Sequence, residues 1–416
     1  MYTARYKSHH DASRSLKKKF TLQIDKEDYL RTKLAQPTDE SLVLYLHVPF
    51  CNKVCSFCPF HRPDKLRRRT YHEYLLEQID LIKDLPYMRS TVNAINFGGG
   101  TPTALTPLQM DIVLSKLHES FNISKDAEIS LESSATELSD EMLDVLVKNK
   151  VNRLSIGVQT FQDETRQLFG RRGSGEHAAA RIKRALDYGI TNTNIDLIYH
   201  YPGQTENMLM KDIEVIRSLG IAGLSFYPLM IHDKTPLAAK ITDADRMDLA
   251  DMEREYYLHD IIVNELAKDG FDFLELNKLV RNNLDNYEYM SLRHSVGSCV
   301  AIGEGAGGNI GEYYYKHSFE DSLVSDSVPI CSKGRIVDPL YRVMDAFIYD
   351  LQKTKVDLAE YSNKLSINLE NLLNPLIVKL EENAMLTRNG SIIKLTTKGR
   401  FWGNNIIDDL VRLILV

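Results

Sequence analysis

From about residue 42 to residue 228, short apolar runs of strand character alternate with stretches whose apolar residues recur three and four apart. No other feature of the chain constrains its fold as tightly. The strand-like runs are "LVLYLHV" (42–48), "NAINF" (93–97), "EISLE" (128–132), "NRLSIGV" (152–158), "NIDLIY" (194–199) and "GLSFYP" (223–228). Between them lie helical stretches such as "YHEYLLEQIDLIKDL", "PLQMDIVLSKLHESF" and "GEHAAARIKRALDYG". "TENMLMKDIEVIRSLG" opens on a Thr that can cap a helix N-terminus and closes on a glycine suited to the C-terminus. Such alternation predicts parallel βαβ units with right-handed crossovers. Six units are too few for an eight-stranded barrel, so the expected fold is α/β, a partial (β/α)6 barrel.

The barrel is expected over residues 41–300, after an N-terminal extension (1–40) and before a C-terminal α/β domain (301–416). "DRMDLADMEREYYLHDIIVNELAKDG" reads as one long helix ending at Gly270, and a glycine-rich turn, "AIGEGAGGNIGEYYY", begins at 301. The hairpin "AMLTRNGSIIKLT", with Asn389-Gly390 fitting a type I′ turn, makes the end winged-helix-like. From Glu370 onward there are six Lys/Arg against five Asp/Glu, and the whole chain carries a net charge of −6. A nucleic-acid binder is normally basic, so this end is read as a packing or lid domain. No apolar run approaches the roughly 20 residues of a membrane span, and the polar N-terminus lacks a secretory signal. The expectation is a cytoplasmic protein with no membrane span and no nucleic-acid partner.

In parallel α/β folds the site lies at the carboxyl ends of the strands. Here the first strand runs into a cysteine loop, "HVPFCNKVCSFCPF" (47–60), and the second into "GGGTPT" (98–103). The third ends in Glu132, the fourth runs into Gln159, the fifth carries Asp196 and His200, and the sixth ends "FYP". Three of the five cysteines, Cys51, Cys55 and Cys58, stand within eight residues, a poor disulfide framework but a good metal or cluster site. Zinc would require a fourth ligand, with His61 or His47 available. A [4Fe–4S] cluster usually takes four thiolates; three leave one iron open to a chelating small molecule unless the distant Cys299 closes it.

The Cys-x3-Cys-x2-Cys spacing after a first strand resembles the radical S-adenosylmethionine (SAM) superfamily. "YLHVPFCNKVCSFC", "FGGGTPT", "VNRLSIGVQTF", "LFGRR" and "IDLIYHYPGQT" together look like its HemN-like branch, related to oxygen-independent coproporphyrinogen III dehydrogenase. The resemblance implies a radical SAM barrel and a [4Fe–4S] cluster on Cys51, Cys55 and Cys58. The open iron would be chelated by SAM, whose cleavage yields a 5′-deoxyadenosyl radical. It further implies Phe57 against the adenine, Tyr45 beside the cluster in a catalytic part, and Gly99, Gly100 and Thr101 along the methionine end. Glu132, Gln159, Arg171 and Asp196 would hold the amine, carboxylate and ribose, with Ile198, Tyr227 and Pro228 near the adenine.

Within the branch, the coproporphyrinogen dehydrogenases carry a further cysteine where this chain has Phe60. The heme chaperones bind heme near an Asn-aromatic segment, loosely matched by "NYEYMSLRHSVGSC". Pro59-Phe60, "GEGAGG" and "LTTKGRFW" look more like the ChuW/HutW type, anaerobic heme-degrading methyltransferases. That resemblance implies two SAM molecules, transfer of a methyl-derived carbon to heme with ring opening and iron release, and a flavodoxin- or ferredoxin-type electron donor. A heme chaperone, or an enzyme methylating or cyclopropanating another heteroaromatic substrate, is the alternative. For the tetrapyrrole, Arg67–Arg69 are candidates for propionate contacts and His61 for a proton carrier or iron ligand. His200 falls on the interior phase of its strand and is expected to face the site as a catalytic residue. His9, His10 and Lys17–Lys19 belong to the extension.

Overall fold

The computed structural model describes residues 2–6, 16, 19–60, 65–295, 297–318 and 333–415. Six strands carry the alternation: β1 (Leu42–Val48), β2 (Val92–Gly99), β3 (Ile123–Ser134), β4 (Arg153–Gln159), β5 (Asn192–Tyr199) and β6 (Gly223–Pro228). Each pairs parallel with the next in chain order. The crossovers are α1 (Tyr71–Ile82), α2 (Pro107–Ser120), α3 (Asp140–Lys148), α4 (Gly175–Asp187) and α5 (Glu206–Leu219). Their starts are set locally. Thr106, Ser139, Ser174 and Thr205 each accept a hydrogen bond from a backbone N–H of the following first turn. The apolar stripes of these helices, such as Leu75 and Ile79 of α1 or Met110, Val113 and Leu117 of α2, pack on the convex face of the sheet against Leu44, Leu46, Ile95 and Leu131. The other phase of each strand, with Tyr45, Glu132, Ser155, Asp196 and Ser225, is left for the concave face.

The partial barrel is thus present, inside a larger sheet. Ser298–Ile302 pairs parallel with the outer edge of β1, followed by antiparallel Gly307–Ile310, Tyr313–Lys316 and Gly334–Val337. Beyond β6, Lys278–Arg281 and then Phe271–Glu275 add antiparallel. Neither end strand of the barrel is therefore a bare edge. The boundary expected at residues 300–301 falls inside Ser298–Ile302, so the sheet of the first unit continues beyond it.

A short helix, Glu288–His294, packs against β1, β2 and β3 and forms the floor of the concavity. An ion network seats it. Arg153 of β4 makes two bonds of 3.0 Å to Asp285, and Lys278 Nζ lies 2.7 Å from the same carboxylate. Glu128 of β3 accepts from the backbone N–H groups of Glu288 and Tyr289. Both cations also lie over the Tyr287 ring, at 3.9 and 4.1 Å from its centroid.

The long helix expected after residue 244 is two helices, Asp243–Ala250 and Met252–Ala267, because Asp251 leaves helical geometry and caps the second. At the C-terminal end, helices Leu358–Leu365 and Leu369–Glu382 accompany a three-stranded sheet of Lys355–Asp357, Ile392–Leu395 and Leu386–Asn389. Its hairpin turns one residue later than expected. Asn389 pairs with Ile392, so the loop is Gly390-Ser391, with left-handed Gly390 at the first central position as in a type II′ turn. The start of the chain is tied in too: Arg5 is buried and bonds Glu255, the Phe401 carbonyl and the Tyr199 hydroxyl. His9, His10, Lys17 and Lys18 lie outside the described residues. Among the described residues no helix is long and apolar enough to cross a membrane.

The network around Asp285 generates a stability prediction. Asp285→Asn leaves Arg153 and Lys278 buried without their shared anion, and removing one partner of a buried pair costs about 3–5 kcal/mol. Urea unfolding of the apo protein at neutral pH should show a loss of that order. The two cations hold the Asp285 carboxyl well below the ordinary range against the opposing effect of burial. A depressed carboxyl stabilises the fold above its unfolded value, so the difference between wild type and variant should shrink as pH falls below about 4.

Candidate functional site

The cysteine loop leaves β1 at Val48 and is held from two sides. Ser56 donates its N–H to the Phe169 carbonyl at 2.9 Å and its hydroxyl to the Leu168 carbonyl at 2.6 Å, while the Leu237 N–H donates to the Ser56 carbonyl at 2.8 Å. Phe57, next to Ser56, packs edge-on to Phe169 with ring centroids 5.4 Å apart, in a cluster with Ile198, Tyr201 and Leu229. All three cysteines are partly exposed. The Thr101 hydroxyl donates to Cys51 Sγ at 3.4 Å, and Arg171 Nη1 donates to Cys55 Sγ at 3.1 Å while Nη2 bonds the Gly157 carbonyl. A cavity of about 350 Å³ opens beside Cys58, lined by Pro59, Phe60 and residues 232–236.

The glycine turn after β2 brings its backbone against the loop. Gly100 N–H donates to the Val48 carbonyl at 2.9 Å and Thr101 N–H to the Phe50 carbonyl at 2.7 Å. A Cβ on Gly100 would stand 2.5 Å from the Phe50 carbonyl oxygen, so only glycine fits there. Gly99, at φ 119°, donates its N–H to Glu132 at 3.3 Å. Beyond Glu132 on the concave face, Asp196 accepts from the Ser155 hydroxyl at 3.4 Å. Burial, and then the nearby Asp196 carboxylate, pushes Glu132 up to about 7. Burial raises Asp196 as well, against the pull of Lys278 and Arg153. Gln159 ends β4 in a left-handed conformation (φ 74°), the kind of strain that concentrates at sites. The Ile198–Pro228 level closes the rim: Ile198 pairs with Tyr227, and Tyr199 with Pro228.

Two sequence-derived expectations are corrected here. His200 does not face the site. The period-two phase was carried one residue past the strand, where the backbone turns left-handed (φ 52°). The ring is fully buried beneath helix Met252–Ala267, Nδ1 3.4 Å from Glu255 and Nε2 3.1 Å from the Asp248 carbonyl. Two of the three arginines in the run are already held within the chain. Arg67 pairs with Glu304 of the "GEGAGG" turn, and Arg68 bonds Asn52 in the cysteine loop. Cys299 cannot close the cluster: it pairs with Val43, at the end of β1 remote from the loop, and lies buried beside Tyr289. His61 lies outside the described residues. His47 bonds the Tyr45 hydroxyl through Nδ1 at 2.9 Å, and burial, then Lys316, lowers its pKa to about 4.

Sequence reasoning passed over Ser155, Gly157 and Ser225. Each shares the concave phase of its strand with a residue that was singled out, so carrying the two-residue period along every strand would have found them. Among the described residues no three His, Cys, Asp or Glu side chains are already gathered as a ligand set. What the loop offers is a donor set, three thiols on eight residues with hydrogen-bond donors at two sulfurs. That suits a group bringing its own sulfide and taking three thiolates better than it suits four-coordinate zinc.

Two outcomes follow from this geometry. Gly100→Ala should displace the loop, lowering the iron and sulfide retained after anaerobic reconstitution. The raised Glu132 carboxyl means that its ionised form is disfavoured in the fold. The apo protein therefore loses stability as pH rises from the unfolded value toward 7. Glu132→Gln should melt above wild type at about pH 8, and the gain should vanish below about pH 4 in calorimetric scans.

The chain matches the Radical SAM superfamily over residues 45–216 and the HemN C-terminal domain over residues 342–402. It is 26% identical over 383 residues to an anaerobilin synthase of Escherichia coli O157:H7, covering 90% of this chain and 84% of that protein. It is equally 26% identical over 385 residues to a heme chaperone HemW of Lactococcus lactis, covering 88% and 96%. The fold superposes on coproporphyrinogen III oxidase (HemN) of Escherichia coli with a TM-score of 0.78, over 99% of this chain and 96% of that one, at 23% identity. A radical SAM domain followed by a HemN C-terminal domain, on the HemN fold, places the chain in the HemN-like branch of the radical SAM superfamily, whose members imply a [4Fe–4S] cluster and SAM.

Proposed function

We propose that the protein is a radical SAM methyltransferase of tetrapyrroles. In this reading it uses two SAM molecules to transfer a methyl-derived carbon to heme, opening the ring and releasing iron. The observation that carries this reading is the aromatic lining of the concavity below the cysteine loop. Tyr45 and Tyr287, both partly exposed, are backed by the buried Tyr289, with ring centroids 6.3 and 6.5 Å from it. Tyr227, 40% exposed, stands above them on β6. Such surfaces suit a flat heteroaromatic ring. Similarity to an anaerobilin synthase over most of both chains supports heme as the first substrate to test. Phe60, 68% exposed, stands where the coproporphyrinogen dehydrogenases have a further cysteine, which argues against oxidative decarboxylation.

Cys51, Cys55 and Cys58 would hold the cluster, which with SAM supplies one-electron cleavage of a carbon–sulfur bond. The chain's own residues do the positioning. Gly99 and Gly100 let the backbone approach the methionine end, with Thr101 and Arg171 fixing the loop around it. Glu132 and Asp196 would offer negative charge to the cationic end of SAM, and a bound cation would favour their ionised forms. Tyr45 and His47, bonded to each other, stand between that charge and the floor. Residues 2–6 lace the C-terminal helices to the barrel, Arg5 bonding Tyr199 and Glu255 on one side and the Phe401 carbonyl on the other. The cavity beside Cys58 is the natural approach for an electron donor of flavodoxin or ferredoxin type.

A heme chaperone is the second reading, favoured by the similarity to HemW. Asp285, immediately before the segment matched to the chaperones' heme-binding region, is already engaged by Arg153 and Lys278. The deciding experiment incubates the anaerobically reconstituted protein with SAM, a low-potential reductant and heme. Loss of the Soret band with formation of 5′-deoxyadenosine and S-adenosylhomocysteine is the expected result, and Cys55→Ala should abolish it. A persistent band with heme bound and no nucleoside products would favour the chaperone.

A further inference from the structure

Arg153 and Lys278 stand inside the barrel against two carboxylates, Asp285 and Glu128, so their charges are matched. Arg293, on the floor helix Glu288–His294, faces the same concavity without such a partner. Its Nη1 donates to the Tyr289 hydroxyl at 2.5 Å and its Nη2 to the Gly307 carbonyl at 3.2 Å. Its guanidinium carbon lies 5.6 Å from the centroid of the Tyr45 ring and 5.8 Å from that of Tyr289. Among the described residues no carboxylate pairs with it, and the side chain is only partly open to solvent. Two bonds leave other N–H groups of its five unused. A cation withdrawn from water without an anion is costly, whereas a bound carboxylate would supply the charge and the acceptors.

The placement is informative. Tyr45 separates Arg293 from Glu132: a Cβ built on Gly98 would lie 3.0 Å from the Tyr45 hydroxyl and 2.9 Å from Glu132 Oε1. Negative charge at the rim and positive charge at the floor thus flank one aromatic surface. A cationic cosubstrate belongs above it, and a flat ligand with an acidic side chain fits below.

We propose that Arg293, braced by the buried Tyr289 hydroxyl, is a carboxylate-binding site on the barrel floor that orients the substrate by an acidic side chain. On the tetrapyrrole reading above, from which the identity of the ligand follows, that side chain is a propionate. The site fixes which edge of the ring is turned toward the cysteine loop. Arg rather than Lys suits the task, since its planar fork can meet both oxygens of a carboxylate.

The test compares heme with heme dimethyl ester, titrated by absorbance into the SAM-loaded holoprotein without reductant. Loss of a charge-assisted pair should weaken ester binding to wild type by about tenfold to a hundredfold. Arg293→Met should bind acid and ester alike, and Arg293→Lys should keep part of the preference. The ester alters the ligand alone, so the comparison within wild type does not depend on a variant folding. If wild type binds heme but shows no preference, or Arg293→Met keeps it, the site is overturned and the tetrapyrrole reading stands. If neither porphyrin binds, the tetrapyrrole reading falls, and the site is then judged with benzoate. A rise in wild-type melting temperature that Arg293→Met lacks supports the site, and no rise overturns it.

Discussion

Parallel strands share one polarity, and the arrangement of this molecule depends on that constraint. Once β1 through β6 pair in chain order, every strand must end on the same rim. Residues scattered over more than 180 positions, from Tyr45 to Pro228, are thereby brought to one mouth without any local signal connecting them. The cost of the geometry is that each strand needs a covered crossover. The capped helices meet it by burying their apolar stripes on the convex side, which leaves the concave phase free for polar groups.

A polar concavity has to be balanced. At the floor the balance is internal: Arg153, Lys278, Glu128 and Asp285 answer one another and seat the floor helix. At the rim it is not. Burial and the nearby Asp196 carboxylate raise Glu132's cost of ionisation, burial raises that of Asp196, and the thiols of Cys51 and Cys55 accept from Thr101 and Arg171. A region whose charges are satisfied holds shape, and one whose charges await a partner binds. The rim and the Arg293 position are of the second kind, and the proposed cofactor and substrate sites fall there rather than at the ion network below.

Much of the barrel was legible because its signals are local. Strand-like runs, Ser and Thr caps, and the close spacing of three cysteines each occupy a few neighbouring residues. The misplaced elements failed for physical reasons of the opposite kind. His200 continues an interior phase on paper, but a left-handed residue at the strand end swings its ring outward. The hairpin near residue 390 was found, yet Asn389 stays in the strand and Gly390 takes the first turn position. Arg67 looked available until Glu304, more than 200 residues later, was brought beside it. Ser298–Ile302 is a short strand whose pairing with β1 no window of sequence contains.

The sequence alone determined the parallel α/β character, the cysteine loop as a metal or cluster candidate and the membership of residues such as Gly100, Glu132 and Asp196 in one rim. These rest on periodicity and spacing, which the chain carries in order. Tertiary structure alone decided which charges are spent and which are left for a ligand. Arg153 and Arg293 look alike in the chain, but one finds Asp285 across the floor while the other, among the described residues, bonds a phenol and a carbonyl. Charge compensation is a property of three-dimensional neighbours, and those are set by packing between segments far apart in the chain.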